Sequence, residues 1–195
     1  MIGKGKSISH GVAALEYDLA KEINGQAVAT EIARHELYGC TGAEMVQEMK
    51  PYHIDFPNVK NNCLRFEVSP SIEESATFTD ADWAELGNDF MQRMGLANHQ
   101  YIIIRHSGTE SKKEQAHLHI LANRVSLSGE LYRDNWIGKK ATEAANAIAK
   151  ERNFVQSQDI GKVNKAEIKE AMDGVLKKMQ GFDSVSYTHL RAHET

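Results

Sequence analysis

The sequence predicts an α+β fold, a central and mostly antiparallel sheet flanked by helices. Three observations carry that expectation. Apolar and charged residues alternate in Leu64-Arg65-Phe66-Glu67-Val68, the period of a half-buried strand. The apolar runs near 99–106 and 116–125 are separated only by the polar segment Ser107 to Gln115. That link has no room for the crossover helix of a parallel pair, so the two runs form a hairpin. Between the strands, Trp83, Leu86, Phe90, Met91 and Met94 recur at amphipathic helical spacing.

The elements follow in order. Residues 2–9 read as a short strand interrupted by Gly3 and Gly5, because glycine weakens a strand interior. A helix over 10–22 ends at Asn24-Gly25, a C-terminal stop signal. A second helix is expected over 26–36 and a third over 41–50, stopped by Pro51. Pro51, Pro57 and Asn61-Asn62 make 51–62 a loop. The 64–68 strand stops at Ser69-Pro70. Thr79 with Asp80 and Asp82 opens a helix as N-cap and first-turn acids, and Gly95 closes it. After the hairpin, Ser128-Gly129 turns into a short strand at 130–132, and an Ala-rich helix covers 137–152. Asn164 and Glu167 resemble a capping box opening a last helix over 164–179. The expected organisation is a domain over 1–155, a helical extension over 156–183, and a non-native tail over 184–195. The run from Val185 to Thr195 resembles a translated sequencing adaptor, which implies a natural chain that continues past residue 184.

Composition narrows the function classes. With 195 residues, 41% hydrophobic and 26% charged, the chain has the balance of a soluble globular protein. No apolar run approaches the roughly 20 residues of a membrane span, and Met1 to Lys6 lacks a secretory apolar core. Cys40 and Cys63, neither in a CxxC, give no disulfide framework, so the cytoplasm is the expected compartment. A net charge of -4 argues against a non-specific nucleic-acid coat. It leaves room for local basic surfaces, at Lys4 and Lys6 and along Lys139, Lys140, Lys150 and Arg152.

The chemistry concentrates in Ala116-His117-Leu118-His119-Ile120. On a strand, His117 and His119 share one face, while Leu118 and Ile120 take the other. The hairpin delivers His106 beside them. Three neutral imidazoles suit Mn, Zn, Ni or Fe, and Mg where a phosphate adds oxygens. Three protein ligands leave positions open for substrate, the pattern of a catalytic site. Asn123-Arg124 follows, and Arg124 has the planar fork that clamps a phosphate. Tyr17 lies between Glu16 and Asp18, and a phenol becomes a useful nucleophile where a metal polarises the phosphate it attacks. Residue type alone does not separate Tyr17 from Tyr38, Tyr101 or Tyr132. His10, His35 and His53 stand in no ligand pattern, and His99 is placed to support a ligand.

These residues resemble a known family. His99 to His106, His117-Leu118-His119-Ile120 and Asn123-Arg124 resemble the three-histidine signature of mobilisation relaxases, HUH-type endonucleases. The opening Met1-Ile2-Gly3-Lys4-Gly5-Lys6-Ser7-Ile8-Ser9-His10 and Trp136-Ile137-Gly138-Lys139-Lys140 are similar to relaxases of Bacteroidetes mobile elements. The likeness covers about residues 1–155. It implies an HUH-endonuclease-like fold and strand-specific nicking and joining of single-stranded DNA at an origin of transfer. It also implies a 5′-phosphotyrosyl intermediate on Tyr17, with Arg124 assisting, and a divalent metal, Mg or Mn, on His106, His117 and His119. Accessory mobilisation proteins and a coupling protein are the implied partners, without membrane insertion. The link after His106 is longer than the family's and begins Ser107-Gly108-Thr109 where an aspartate is usual, so Glu110 or Glu114 is left to supply a carboxylate. A metal-dependent hydrolase using water, or a DNA-binding relaxosome component without activity, are the competing readings.

Overall fold

The computed structural model describes residues 1–108 and 115–178. In chain order the elements are β1 (Ile2–Ile8), α1 (Gly11–Leu19), β2 (Glu22–Ile23), β3 (Gln26–Ala27), β4 (Ala29–His35), α2 (Gly42–Met49), a 3-10 turn (Lys50–His53), β5 (Cys63–Ser69), α3 (Ile72–Ser75), α4 (Asp80–Arg93), β6 (His99–His106), β7 (His117–Ser126), α5 (Ile137–Glu151) and α6 (Ser157–Lys178). Five strands form one sheet in the order β1-β5-β7-β6-β4, and every neighbouring pair is antiparallel. The expected α+β architecture is present. The chain divides into two units, Met1–Gln156 and a second beginning at Ser157. The sheet and α1 to α5 belong to the first, and α6 to the second. Among the described residues, no helix is long and apolar enough to cross a membrane.

Period-2 alternation gives the sheet two apolar faces. Phe66, Val68, Ile103, Leu118 and Ile120 pack with Trp83, Leu86 and Phe90 of α4 and Ala141, Ala145 and Ile148 of α5. Ile102, Ile104 and Leu121 pack on the other face with Leu15 of α1 and Met45, Val46 and Met49 of α2. The central strand β7 is therefore covered on both sides, which explains its nearly continuous apolar run. Thr41 and Thr79 each close a capping box, with Glu44 and Asp82 respectively, so the starts of α2 and α4 are locally encoded.

Gly3 and Gly5 do not break β1. They let α5 lie against it: a Cβ at Gly3 would collide with the Ala141 carbonyl oxygen and stand 2.6 Å from the Ala145 Cβ. Lys4 and Lys6 alternate onto the opposite face.

Three expectations are corrected. Residues 26–36 form β3 and β4 instead of a helix. Asn24 and Gly25 both have positive φ, 53° and 75°, and they turn β2 into β3 as a two-residue hairpin. The Ala, Glu and Arg of β4 are good helix formers, but intrinsic propensity is a small term, and ladder bonding to β6 outweighs it. The 130–132 strand reduces to one bridge, Val125 to Leu131. The last helix starts at Ser157 and runs through Asn164, so the predicted cap is interior. The predicted tail, 184–195, lies outside the described residues.

Because a side chain at residue 3 collides with helix backbone, Gly3→Val is expected to destabilise the first unit by about 1–3 kcal/mol, measured as a lower urea midpoint with an unchanged m value.

Candidate active site

The register of β6 and β7 builds the cluster. His106 pairs with His117, and Ile104 with His119, and cross-strand partners share a face. All three imidazoles therefore lie on the α1 side of the sheet. Ring centroids are 4.5 Å apart for His106 and His119, 4.9 Å for His117 and His119, and 5.4 Å for His106 and His117. One nitrogen from each ring falls within 4.8 Å of the others.

The rings are oriented by backbone oxygens. His106 Nε2 donates to the Asp18 carbonyl at 2.7 Å, and His117 Nδ1 donates to the Gln115 carbonyl at 3.1 Å. Those bonds leave His106 Nδ1 and His117 Nε2 with free lone pairs, as metal ligands require. The His117 and His119 Nε2 atoms face each other at 3.1 Å. Two ligand nitrogens on a tetrahedral ion at about 2.1 Å stand about 3.4 Å apart, so this spacing suits a shared cation. Burial pushes the His106 pKa down. Burial, the other two histidines and Arg65 push His119 to about 2. Both rings are neutral near neutral pH, the ligating form. The donor set fits a divalent metal.

Asp18 and Arg65 complete the cluster, and sequence reasoning assigned a role to neither. Asp18 is 1% exposed. Its carboxylate accepts from Arg65 Nε at 3.1 Å and Nη2 at 2.5 Å. Burial raises the Asp18 pKa while the guanidinium pulls against that rise. Asp18 Oδ1 lies 3.9 Å from His119 Nδ1, and Arg65 Nη2 lies 3.4 Å from the same nitrogen. Arginine only donates, so its approach favours a lone pair on Nδ1, whereas the carboxylate favours a proton there and a free Nε2. Asp18 was detectable in principle: Gly11, Ala14, Leu15 and Asp18 share the buried stripe of α1, and a carboxylate on such a stripe signals a partner. Arg65 gave no signal, because alternation in β5 places it where solvent is expected. The carboxylates sought at Glu110 and Glu114 lie outside the described residues.

Tyr17 directly precedes Asp18. It is 57% exposed, and Lys21 Nζ donates to its oxygen at 2.6 Å while lying 4.8 Å from the ring centre. A cleft of about 200 Å³ opens across β1, β5 and β7, with His119 in its wall. Lys4, Lys6 and Arg65 line it against the single acid Glu67, which pairs with Lys4 at 2.9 Å. A chain of net charge -4 thus presents a basic cleft beside its histidines.

Arg124 is not brought to this cluster. It lies seven residues along β7 from His117, about 23 Å at strand rise, and alternation points it to the opposite face. Its guanidinium donates to the Tyr132 and Asn61 carbonyls at 3.2 and 2.9 Å and to Asp134 at 2.6 Å. The phosphate-clamp expectation therefore gives way to a bracing role for the 132–134 loop. Asn123 is fully buried. It donates to Gln100 Oε1 at 2.9 Å and the Met49 carbonyl at 3.3 Å. Its own oxygen accepts from Val125 N–H at 3.0 Å and His53 Nε2 at 2.6 Å. His99 donates to the Asn123 carbonyl, and His35 to the His99 carbonyl, each at 2.9 Å. These histidines tie the far end of the sheet together. Asn123→Ala leaves His53 and Gln100 without their partner and is expected to cost about 2–3 kcal/mol, measured by denaturant unfolding.

Residues 17–154 match the nuclease domain of MobA/VirD2-like relaxases. Among solved structures, two of the conjugative relaxase TrwC in complex with OriT DNA match this chain. The metal-free one is 10% identical and the metal-bound one 12%, each with a TM-score of 0.47 over 82% of this chain and 70% of the other. No curated protein sequence matches significantly. The family match begins at Tyr17, ends at Phe154 and takes in the whole histidine cluster, and on it this chain belongs to the MobA/VirD2-like relaxases, as their nuclease domain.

Proposed function

We propose that this chain cuts and rejoins one DNA strand at an origin of transfer, with Tyr17 as the attacking group. The observation that supports it most is the tie between α1 and the histidines. The Asp18 carbonyl holds His106 at 2.7 Å, and the preceding residue is an exposed tyrosine with a cation on its oxygen.

In the forward step Tyr17 Oη forms a bond to the scissile phosphorus while the bond to the 3′ oxygen breaks. The hydroxyl proton passes to solvent and the leaving 3′ oxygen takes one up. The product is a 5′-phosphotyrosyl strand and a free 3′ hydroxyl. One phosphodiester replaces another, so rejoining reverses the step without ATP. A divalent ion, Mg or Mn, held by His106 Nδ1, His117 Nε2 and His119 Nε2 would draw charge from the non-bridging oxygens. Lys21 sits where negative charge develops on Tyr17, and charge stabilisation aimed at that position is the larger part of catalysis in such transfers. Lys4, Lys6 and Arg65 attract backbone phosphates into the cleft, a task the sequence had suggested for Arg124. Asp18 anchors the cluster: its carbonyl orients His106, and its carboxylate holds Arg65 beside His119. The single-stranded origin is the DNA partner of this reading, with the accessory mobilisation and coupling proteins implied alongside it.

With single-stranded DNA spanning the element's own origin and Mn, the expected product on a denaturing gel is a protein–DNA adduct. Tyr17→Phe abolishes it, and His119→Ala slows it by about 10²-fold. Cleavage without an adduct would assign the chemistry to water instead.

A further inference from the structure

Trp136 and the turn that carries it take no part in the chemistry above, yet the structure holds them in place. The chain has two tryptophans. Trp83 is buried at 2%, whereas Trp136 is 80% exposed. An exposed indole of that size is the unusual case for a soluble domain. Its backbone is left-handed, with φ 58° and ψ 28°, a conformation that a residue with a side chain rarely adopts. Strain of this kind persists where the surroundings enforce it, and here they do. Arg124 clamps the Tyr132 carbonyl and Asp134 just before the turn. Ile137 N–H donates to the Asp134 carbonyl at 3.1 Å, and the Ile137 side chain is seated in the core.

The surroundings point to a polyanion with exposed rings. Arg133, Lys139 and Lys140 flank Trp136. The single acid between 133 and 140, Asp134, is neutralised by Arg124 at 2.6 Å. Lys139 is 72% exposed with a loose 3.8 Å pairing to Glu143. Lys140 covers the Tyr132 ring at 5.0 Å. The first turn of α5 lies on the back of β1: a Cβ at Gly138 would stand 3.5 Å from the Gly5 carbonyl oxygen. Lys4, Gly5 and Lys6 line the cleft on the front of that strand. One strand thickness, at the end of the sheet, separates the basic cleft from the tryptophan turn.

We propose that Trp136 is a stacking platform for an unpaired base of the DNA strand, outside the nick site. The strand passes from the Lys4–Lys6 cleft over the free edge of β1 to the basic turn at 133–140. The proposal rests on the reading of single-stranded DNA as substrate. An indole face with cations around it is the surface on which single-stranded bases stack without sequence preference. A duplex keeps its bases paired and offers no free face. Arg124 is then a positioning residue for this turn, which accounts for the Asn123-Arg124 block at a distance from the histidines.

The test is a titration of the whole chain with oligothymidylate of about 16 nucleotides, followed by tryptophan emission. Single-stranded DNA is expected to quench the exposed component and leave that of Trp83. Trp136→Leu removes the quench and weakens binding, read by anisotropy of labelled DNA, by about 5- to 100-fold, and Trp136→Phe restores most of the affinity. Binding without quench, equal quench by the matching duplex, or wild-type affinity in Trp136→Leu overturns the proposal. Adduct formation on origin DNA is read separately. Quench without adduct keeps the stacking site and removes the nicking reaction, and adduct without quench does the reverse.

Discussion

Asp18 joins the two halves of the site. Its carbonyl fixes the His106 ring, and its buried carboxylate holds Arg65 and faces His119. Breaking a buried pair of this kind by removing one partner costs about 3–5 kcal/mol, so α1 is anchored to the sheet at this point. Because Tyr17 is the adjacent residue, the anchor also fixes where the proposed nucleophile sits. The rest of the fold serves this arrangement: the β6–β7 register supplies the three rings, and α2 packs on the same face beside α1.

Charge is partitioned in the same economical way. Burial and cationic neighbours keep His106 and His119 neutral, so their lone pairs are available near neutral pH. The overall excess of acid is offset at the cleft, where Lys4 pairs with Glu67, Arg65 pairs with Asp18, and Lys6 adds a further positive charge. The same separation recurs at the turn before α5, where Arg124 cancels Asp134 and leaves the neighbouring cations as the dominant field. Long-range attraction of a phosphate backbone depends on such local patches more than on the sum over the chain.

Much of this was legible in the sequence, for identifiable reasons. Period-2 alternation in β5 and β7 and the short link between β6 and β7 fixed the antiparallel pairing, and with it the meeting of His106, His117 and His119. Thr79 with Asp80 and Asp82 located the start of α4. Residues 26–36 were misread because Ala, Glu and Arg are good helix formers whose preference tertiary pairing overrides, and because Asn24-Gly25 serves equally as helix stop and hairpin turn. Arg124 looked like a phosphate ligand because a strand sequence gives face and order but not the loop that will meet its side chain. Asp18 and Arg65 find each other across 47 residues of sequence. No local pattern records that contact, apart from a lone carboxylate on the buried stripe of α1.

The central claim is that Asp18 is the anchor of the proposed metal site, through its carbonyl on His106 and its carboxylate on Arg65. Calorimetric titration of the wild type and of Asp18→Asn with Mn tests it directly. The asparagine keeps the size of the side chain and the backbone carbonyl but loses the charge that holds the Arg65 guanidinium beside His119. The account predicts one Mn site in the wild type and about 10- to 100-fold weaker binding in the variant, with the fold retained. Equal affinity in the two proteins, or a wild type that binds no Mn, would contradict it.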